Sequence, residues 1–172
     1  MAETQRELLS KLPKEKLLDY VEMLHKNFWT LQNTWMLHVN KKYGQEAAEE
    51  FDSLVMGHTC EVEIYRAKKF LDLGNDFTAL KTAYDYSNLG MDMDYEWEIG
   101  DDKAVMRVTR CGMQLGRRKS DLPELPCKEI GFKVWPPITG VIDPKIKTSC
   151  VICPPDPHPE DLWCEWEFRF ED

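Results

Sequence analysis

The sequence predicts an α+β fold, with a helical N-terminal half packed on a four-stranded antiparallel sheet and a cysteine-rich metal site in the C-terminal third. Up to residue 89 the apolar residues recur every three or four positions, and from residue 90 they alternate with polar ones. Four of the six cysteines follow residue 126. Because helices precede strands instead of alternating with them, we expect a single α+β domain over 1–172, with a helical part at 1–89 and a sheet and metal-binding part at 90–172.

The first long helix is predicted from Pro13 to Tyr43. Proline suits the first turn of a helix, and Gly44 suits its end. The apolar stripe between them consists of Leu17, Val21, Leu24, Phe28, Leu31, Trp35 and Val39. The steps of three and four residues place all of these side chains on one face.

Two further helices are predicted before the sheet. The second runs from Gln45 to Leu73, with Gly74 as its end. Its apolar side consists of Ala47, Phe51, Leu54, Val55, Val62, Tyr65 and Phe70. A shorter third helix begins after Asp76, a good N-cap residue, and reaches about Tyr86.

Alternation with a period of two predicts the strands. Tyr95, Trp97 and Ile99 alternate with acidic residues, and a return strand over 104–111 completes a hairpin. The segment 112–126 contains glycines, prolines and charges and is predicted as a loop. A short helix over 127–135, ended by two prolines, leads to a third strand over 145–152 and a fourth that begins at Cys164.

Composition excludes some functional classes. The net charge of −9 and pI near 5.0 oppose a phosphate-binding surface, so nucleic acid is not an expected partner. No stretch approaches the ~20 apolar residues that cross a bilayer, and the first residues do not resemble a secretion signal. We therefore expect a cytoplasmic protein, whose cysteines are metal ligands or catalytic thiols more often than disulfides.

The spacing C-x22-C-x2-C-x10-C, formed by Cys127, Cys150, Cys153 and Cys164, is typical of a metal site. Four thiolates around zinc would form a closed, structural site. Cys111 or His158 could replace one ligand, and an alternative interpretation is that several of these residues are ordinary buried thiols. An iron–sulfur cluster is the other metal hypothesis, although a C-x2-C-x2-C run is missing from the sequence.

Other residues are candidates for chemistry or binding. Cys111 could act as a nucleophile if His158 or His58 lay close to it as a base. Four aromatic residues are candidates for an apolar ligand pocket between helices and sheet. They are Phe28, Trp35, Tyr65 and Trp97. The long apolar helices could also support a homodimer.

The C-terminal cysteine pattern, which ends in Cys164-x-Trp166-x-Phe168, resembles that of the vinyl-reductase-type small-molecule-binding domain. This resemblance implies a helical front half before an antiparallel sheet, a small-molecule ligand, and a zinc ion held by three cysteines and a glutamate. Cys127, Cys153 and Cys164 match the three cysteines, and Cys150 stands in place of the glutamate. A proline-rich run lies between the last two ligands, where that family has a glycine.

Most of the chain, from Trp35 to the Cys153–Phe168 end, also resembles a family of small prokaryotic cytosolic proteins without an assigned activity. That family is distantly similar to L-2-amino-thiazoline-4-carboxylate hydrolase. Three functional hypotheses follow: a zinc-containing domain that binds a small apolar or aromatic molecule, a hydrolase of small heterocycles, and an iron–sulfur protein. They leave open whether the protein is an enzyme.

Overall fold

The structure is a computed structural model that describes residues 3–171. The chain divides after Ala48 into two compact units. The first is helical. The second contains a sheet with helices, and five of the six cysteines lie in its C-terminal part.

The first unit contains α1 (Gln5–Ser10), α2 (Lys14–Tyr43) and the first residues of α3 (Gln45–Phe70). A capping box starts α1, because Thr4 accepts from the Glu7 amide while the Glu7 side chain accepts from the Thr4 amide. Pro13 immediately precedes α2, and Gly44 ends it with a φ of 92°. The positive φ favours glycine. The predicted end at Tyr43 is confirmed, and the helix begins one residue after the predicted Pro13.

The second predicted helix is confirmed as α3, but it ends at Phe70, before the predicted Leu73. Asp72 adopts a φ of 52°, and the Leu73 amide donates back to the Lys68 carbonyl at 3.0 Å. This is a Schellman-type end, built on an aspartate instead of Gly74. Among the described residues, no helix combines the length and the apolar character needed to cross a membrane.

The sheet has four antiparallel strands in the order β1-β2-β4-β3, as the α+β prediction required. They are β1 (Met93–Ile99), β2 (Lys103–Cys111), β3 (Ile146–Ile152) and β4 (Cys164–Phe170). The predicted hairpin is β1–β2, and β4 inserts between β2 and β3. Met106 at the centre of β2 pairs with Trp97 on one side and Trp166 on the other.

Four further helices belong to the second unit: α4 (Phe77–Asp85), α5 (Asn88–Met91), α6 (Gly112–Lys119) and α7 (Cys127–Ile142). The N-cap prediction for α4 is confirmed, since Asp76 accepts from the Ala79 amide at 2.7 Å. The loop prediction for 112–126 is wrong in its first eight residues, which form α6. Buried hydrogen bonds made by Gln114 hold this helix in place despite its two glycines.

The predicted end of the short helix over 127–135 is also wrong, because Pro136 and Pro137 lie inside α7, which continues to Ile142. Proline has no amide hydrogen, so Pro137 leaves the Lys133 carbonyl without its helical donor. Gly57 of α3 lies against that carbonyl oxygen, where a Cβ would stand at 3.0 Å. The helices α3 and α7 therefore cross closely at the Lys133 carbonyl, which is the group that Pro137 leaves without a helical donor.

The core of the second unit lies between α7 and one face of the sheet. Trp135 of α7 stacks on Tyr84 at a centroid distance of 5.3 Å and meets Phe168 edge-on at 4.9 Å. Gly131, one turn earlier, lies directly against the Trp166 indole. Because these aromatic side chains are almost fully buried, they fix α7 on the sheet and define the space beside it.

Candidate ligand cavity and cysteine cluster

A cavity of about 90 Å³ lies in the second unit between α7, the sheet and the inner side of α3. Its volume exceeds the roughly 10–15 Å³ that one water needs, so there is room for a small organic molecule. The wall is formed by Asp52, Met56, Tyr84, Leu89, Met93, Met106, Val108, Cys111, Met113, Leu125, Cys127, Ile130, Gly131, Val134, Trp135, Cys153, Cys164 and Trp166. Apolar side chains, aromatic rings and sulfur atoms dominate it.

Four methionines contribute to the wall from different elements: Met56 of α3, Met93 of β1, Met106 of β2 and Met113 of α6. Methionine is unbranched and polarisable, so it adapts to ligands of different shape at little cost. The aromatic rings of the wall are held by the packing around Trp135. The cavity wall thus combines rigid aromatic rings with adaptable methionine side chains.

Tyr84 supplies a polar group in this apolar wall. Its side chain is buried, and its hydroxyl donates to Met93 Sδ at 3.6 Å. A thioether is a weak acceptor, so a ligand oxygen or nitrogen could replace it readily. Burial raises the pKa of Tyr84 well above its usual value, and the nearby Cys164 thiol raises it further. Tyr84 is therefore a neutral hydrogen-bond donor at any physiological pH.

Asp52 is the acidic residue of the wall. It lies on the inner face of α3 and is 3% exposed. Its charge acts on the neighbouring Cys60, whose pKa rises to about 12 through burial first and then through Glu63 and Asp52. A buried carboxyl and a buried phenol thus accompany the apolar groups, an arrangement typical of small-molecule sites.

Four thiols contribute to the same wall, each placed by the end of an element. Cys111 is the last residue of β2, Cys127 begins α7, Cys153 follows β3, and Cys164 begins β4. The backbone brings two of these ends together, because the Lys128 amide donates to the Pro154 carbonyl at 2.9 Å.

Cys153 and Cys164 form a hydrogen-bonded pair of thiols. The contact raises the pKa of Cys153, with burial adding to the effect, and lowers the pKa of Cys164. Cys164 is therefore the sulfur that ionises first, while Cys153 keeps its proton and donates. Cys150, half-buried on β3, is in hydrogen-bond contact with Cys153 and extends the group towards the surface.

Cys127 is held by a glutamine that sequence reasoning did not single out. Gln114 of α6 is buried, and its Nε2 donates to Cys127 Sγ at 3.1 Å and to the Leu125 carbonyl at 3.0 Å. The Leu125 amide donates to Gln114 Oε1 at 3.0 Å. Burial raises the pKa of Cys127, and the nearby thiols of Cys111 and Cys164 raise it further. A loop prediction for 112–126 gave no reason to select Gln114.

The structure thus brings the five cysteines of the C-terminal region into one connected group, which we call the cysteine cluster. It consists of Cys111, Cys127, Cys150, Cys153 and Cys164. Within residues 3–171, however, no three or more His, Cys, Asp and Glu side chains are arranged as a ready metal site. The predicted ligand set is together in space, but not in ligating geometry.

His158 lies in the loop between β3 and β4 and makes other contacts. Its Nδ1 is 2.9 Å from the carbonyl oxygens of both Pro159 and Leu162, and its Nε2 is 3.3 Å from Glu124 Oε2. Both nitrogens therefore face acceptors, which requires the doubly protonated imidazolium. This environment is poor for a metal ligand, whose ring must be neutral.

The nucleophile hypothesis for Cys111 is not supported by a neighbouring histidine. His58 is exposed on α3 and lies 3.7 Å from Glu61, while His158 is engaged as described. Burial raises the pKa of Cys111 to about 11, although the first amides of α6 act in the opposite direction. The thiol form therefore predominates at neutral pH.

The four aromatic residues predicted to line a pocket have other positions. Phe28 and Trp35 lie on α2 of the first unit. Tyr65 is 49% exposed on α3. Trp97 of β1 packs on Phe168 at 5.4 Å and is absent from the cavity wall described above. The aromatic wall consists instead of Tyr84, Trp135 and Trp166.

Comparison with known proteins assigns the chain to a family but not to a function. No curated protein and no solved structure matches this chain significantly. A family model does match, over residues 10–170, and so includes both units and every cysteine of the cluster. The chain belongs to this family, a family of unknown function (DUF6125).

Proposed function

We propose that the protein binds a small apolar or aromatic molecule in the cavity of the second unit, and that a metal ion on the cysteine cluster stabilises the cavity wall. The observation that carries the proposal is the cavity itself. It is apolar and of about 90 Å³, and its wall contains aromatic rings, adaptable methionine side chains and two buried polar groups.

The walls indicate the size and character of the ligand. An empty apolar cavity loses van der Waals contacts on every side, and a ligand of matching shape restores them. Trp135 and Trp166 offer ring faces and edges, which favour a planar ring as the occupant. A single-ring aromatic or heteroaromatic molecule fits these requirements.

The polar groups indicate how such a ligand would be oriented. The Tyr84 hydroxyl now donates to a thioether, so exchange for a ligand oxygen or nitrogen gains hydrogen-bond energy. Asp52 offers a carboxylate on the α3 side of the wall. A phenol or a nitrogen heterocycle carries both an apolar ring and a group able to bond to Tyr84, so these classes are preferred over pure hydrocarbons.

The metal part of the proposal is supported by the donor set. Cys127, Cys153 and Cys164 lie together, with Cys150 or Cys111 available as a fourth thiolate, and zinc is commonly bound by four cysteines. The Gln114 N–H on Cys127 Sγ resembles the hydrogen bonds that orient metal ligands from outside. Four thiolates leave no open position on zinc, so the ion would connect β3, β4 and α7 structurally. The resemblance to the vinyl-reductase-type domain implies the same combination of zinc and ligand.

A hydrolase acting on small heterocycles is the second candidate. It is favoured by Cys111, whose thiol forms part of the cavity wall next to the first amides of α6. Turnover of an amino-thiazoline carboxylate that is lost in Cys111→Ala, with ligand binding retained, would support it. Metal analysis by mass spectrometry and a visible spectrum of protein purified without oxygen distinguish zinc from an iron–sulfur cluster.

Ligand binding is tested with phenol, toluene and thiazole as probes. We expect saturable quenching of tryptophan fluorescence and a raised melting temperature, with phenol binding more tightly than toluene because only phenol can bond to Tyr84. Met56→Trp fills the cavity and should abolish both effects. Met23→Trp, the same change at an exposed position of α2, should leave them unchanged. Equal responses in the two variants would contradict the proposal.

A further inference from the structure

The α3 helix has a second apolar face, opposite to the one that forms part of the core. The buried face carries Asp52, Ser53, Met56, Cys60 and Ile64. The opposite face carries Phe51, Leu54, Val55, His58, Val62 and Tyr65, and we call it the outer face of α3. Steps of three and four residues along a helix place these six side chains in one stripe.

The outer face is exposed to solvent. Leu54 is 58% exposed and Phe51 48%, and Val55 and Tyr65 are similar. A helix that is apolar on all sides is normally covered on all sides. A contiguous stripe of large apolar side chains on the surface of a soluble domain is typical of an interaction site.

The charges at the two ends of this stripe identify the partner. Glu46 and Glu50 lie at the N-terminal end of α3, and Arg66 and Lys69 lie at its C-terminal end, whereas Lys68 points inward and donates to the carbonyls of Val141 and Ile142. A second copy of the same helix, laid antiparallel on the first, brings acidic residues against basic residues at both ends. Parallel pairing would place like charges together at each end.

The apolar positions fit the same arrangement. Phe51 and Tyr65 lie seven residues, or about two turns, on either side of His58, and Leu54 and Val62 lie one turn on either side. A two-fold axis through His58 therefore brings Phe51 of one copy next to Tyr65 of the other. In the same way it brings Leu54 next to Val62. Glu50 of one copy and Arg66 of the other then lie at the same end of the contact, one on each flank of it.

We propose that the protein forms an antiparallel homodimer through the outer face of α3, with the two-fold axis at His58. Such an interface uses the same patch on both copies, so every favourable pair occurs twice. The inference does not depend on the ligand or metal proposal, because it uses the face of α3 that points away from the cavity.

Sedimentation of the full chain across a wide concentration range tests the dimer. We expect the native protein to sediment with twice its 20.2 kDa mass, and Leu54→Asp to sediment as a monomer. Leu122→Asp makes the same change at a residue that is 41% exposed and lies outside α3, so it should remain dimeric. A monomeric native protein, or a dimeric Leu54→Asp variant with unchanged affinity, would overturn the proposal.

Charge exchange tests the antiparallel orientation. Glu50→Arg and Arg66→Glu should each weaken the dimer roughly threefold, because each change places like charges at both ends of the contact. The combined variant restores opposite charges and should recover the native affinity. Failure to recover it while both single variants weaken the dimer would refute the antiparallel orientation. Both residues are exposed, so circular dichroism should show unchanged folding.

Discussion

Gly131 of α7 lies directly against the indole of Trp166 on β4, so that any side chain at position 131 would overlap the ring. This contact determines how closely α7 approaches the sheet beside the cavity. Gly131→Ala should destabilise the protein by about 1–3 kcal/mol, since a methyl group in a packed core forces its neighbours to move. Gly140→Ala is the matched control in the same helix, because no neighbouring atom lies near its added Cβ. It should stabilise the protein by up to about 1 kcal/mol, as measured by urea unfolding. Equal effects would show that Trp166 does not set the spacing.

Gln114 should be as important for the site as the cysteine it holds. In Gln114→Ala the buried amide and carbonyl of Leu125 and the thiol of Cys127 lose their partner together. Each unsatisfied backbone group costs about 1–3 kcal/mol, so we expect a loss of at least about 2 kcal/mol in the free energy of unfolding. Gln5→Ala, which removes an exposed hydrogen bond to Tyr20, should cost well under half as much. A similar loss in both variants would refute the role of Gln114.

The pair formed by His158 and Glu124 should make stability depend on pH. Burial lowers the pKa of His158, but the Pro159 carbonyl and Glu124 outweigh it and raise the pKa above 6.5. The contribution of His158 is therefore complete below about 6.5 and is lost as the pH rises through the higher folded value. Burial raises the pKa of Glu124, but Arg118 and His158 outweigh it and lower that pKa below 4.5.

The contribution of Glu124 is accordingly present above about 4.5 and lost at lower pH. Melting temperatures measured from pH 4 to 9 should show a maximum between these limits, and His158→Phe should remove the decline on the alkaline side. His38→Phe, on the exposed surface of α2, should leave the profile unchanged. A native profile without this decline would contradict the assignment of an imidazolium.

Metal removal distinguishes a zinc-bound cysteine cluster from ordinary buried thiols. If zinc is bound, a chelator should lower the melting temperature, and Cys164→Ser should lose the metal. Cys60→Ser changes a buried thiol of α3 that lies outside the cluster, so this control variant should keep its metal. Comparison of Cys150→Ser with Cys111→Ser identifies the fourth ligand, since only one of them should lose metal. Native protein without metal would refute this part of the proposal.

Local patterns predicted most of the fold. The alternation from Cys164 to Phe170 and the N-cap at Asp76 were sufficient because strand periodicity and capping depend on neighbouring residues. The α6 helix could not be found in this way, since its stability depends on hydrogen bonds from Gln114 to Leu125, eleven residues further along the chain. Pro136 and Pro137 were misleading for a similar reason, because tertiary packing keeps α7 helical through them.

The site was predicted less completely than the fold. The sequence spacing predicted that Cys127, Cys153 and Cys164 belong to one site, and the three thiols do lie close together in the structure. The aromatic residues of the cavity wall were not predicted. The alternation of apolar and polar residues shows that Trp97 and Trp166 lie on strands, but it does not show which of the two side chains borders the cavity. Tyr84 lies on a short helix, where nothing in the sequence distinguishes it from other core residues.

The position of α3 also has a thermodynamic consequence. Met56 forms part of the cavity wall, and the adjacent Val55 belongs to the outer face of the same helix. A ligand that displaces Met56 thereby acts on a rigid element that would also carry the contact between two copies. Linkage then requires reciprocity: if each bound ligand strengthens self-association by some factor, self-association strengthens the binding of each ligand by the same factor. A dimer binds two ligands, so the ratio of the dimer dissociation constants measured without and with saturating phenol equals the square of that factor.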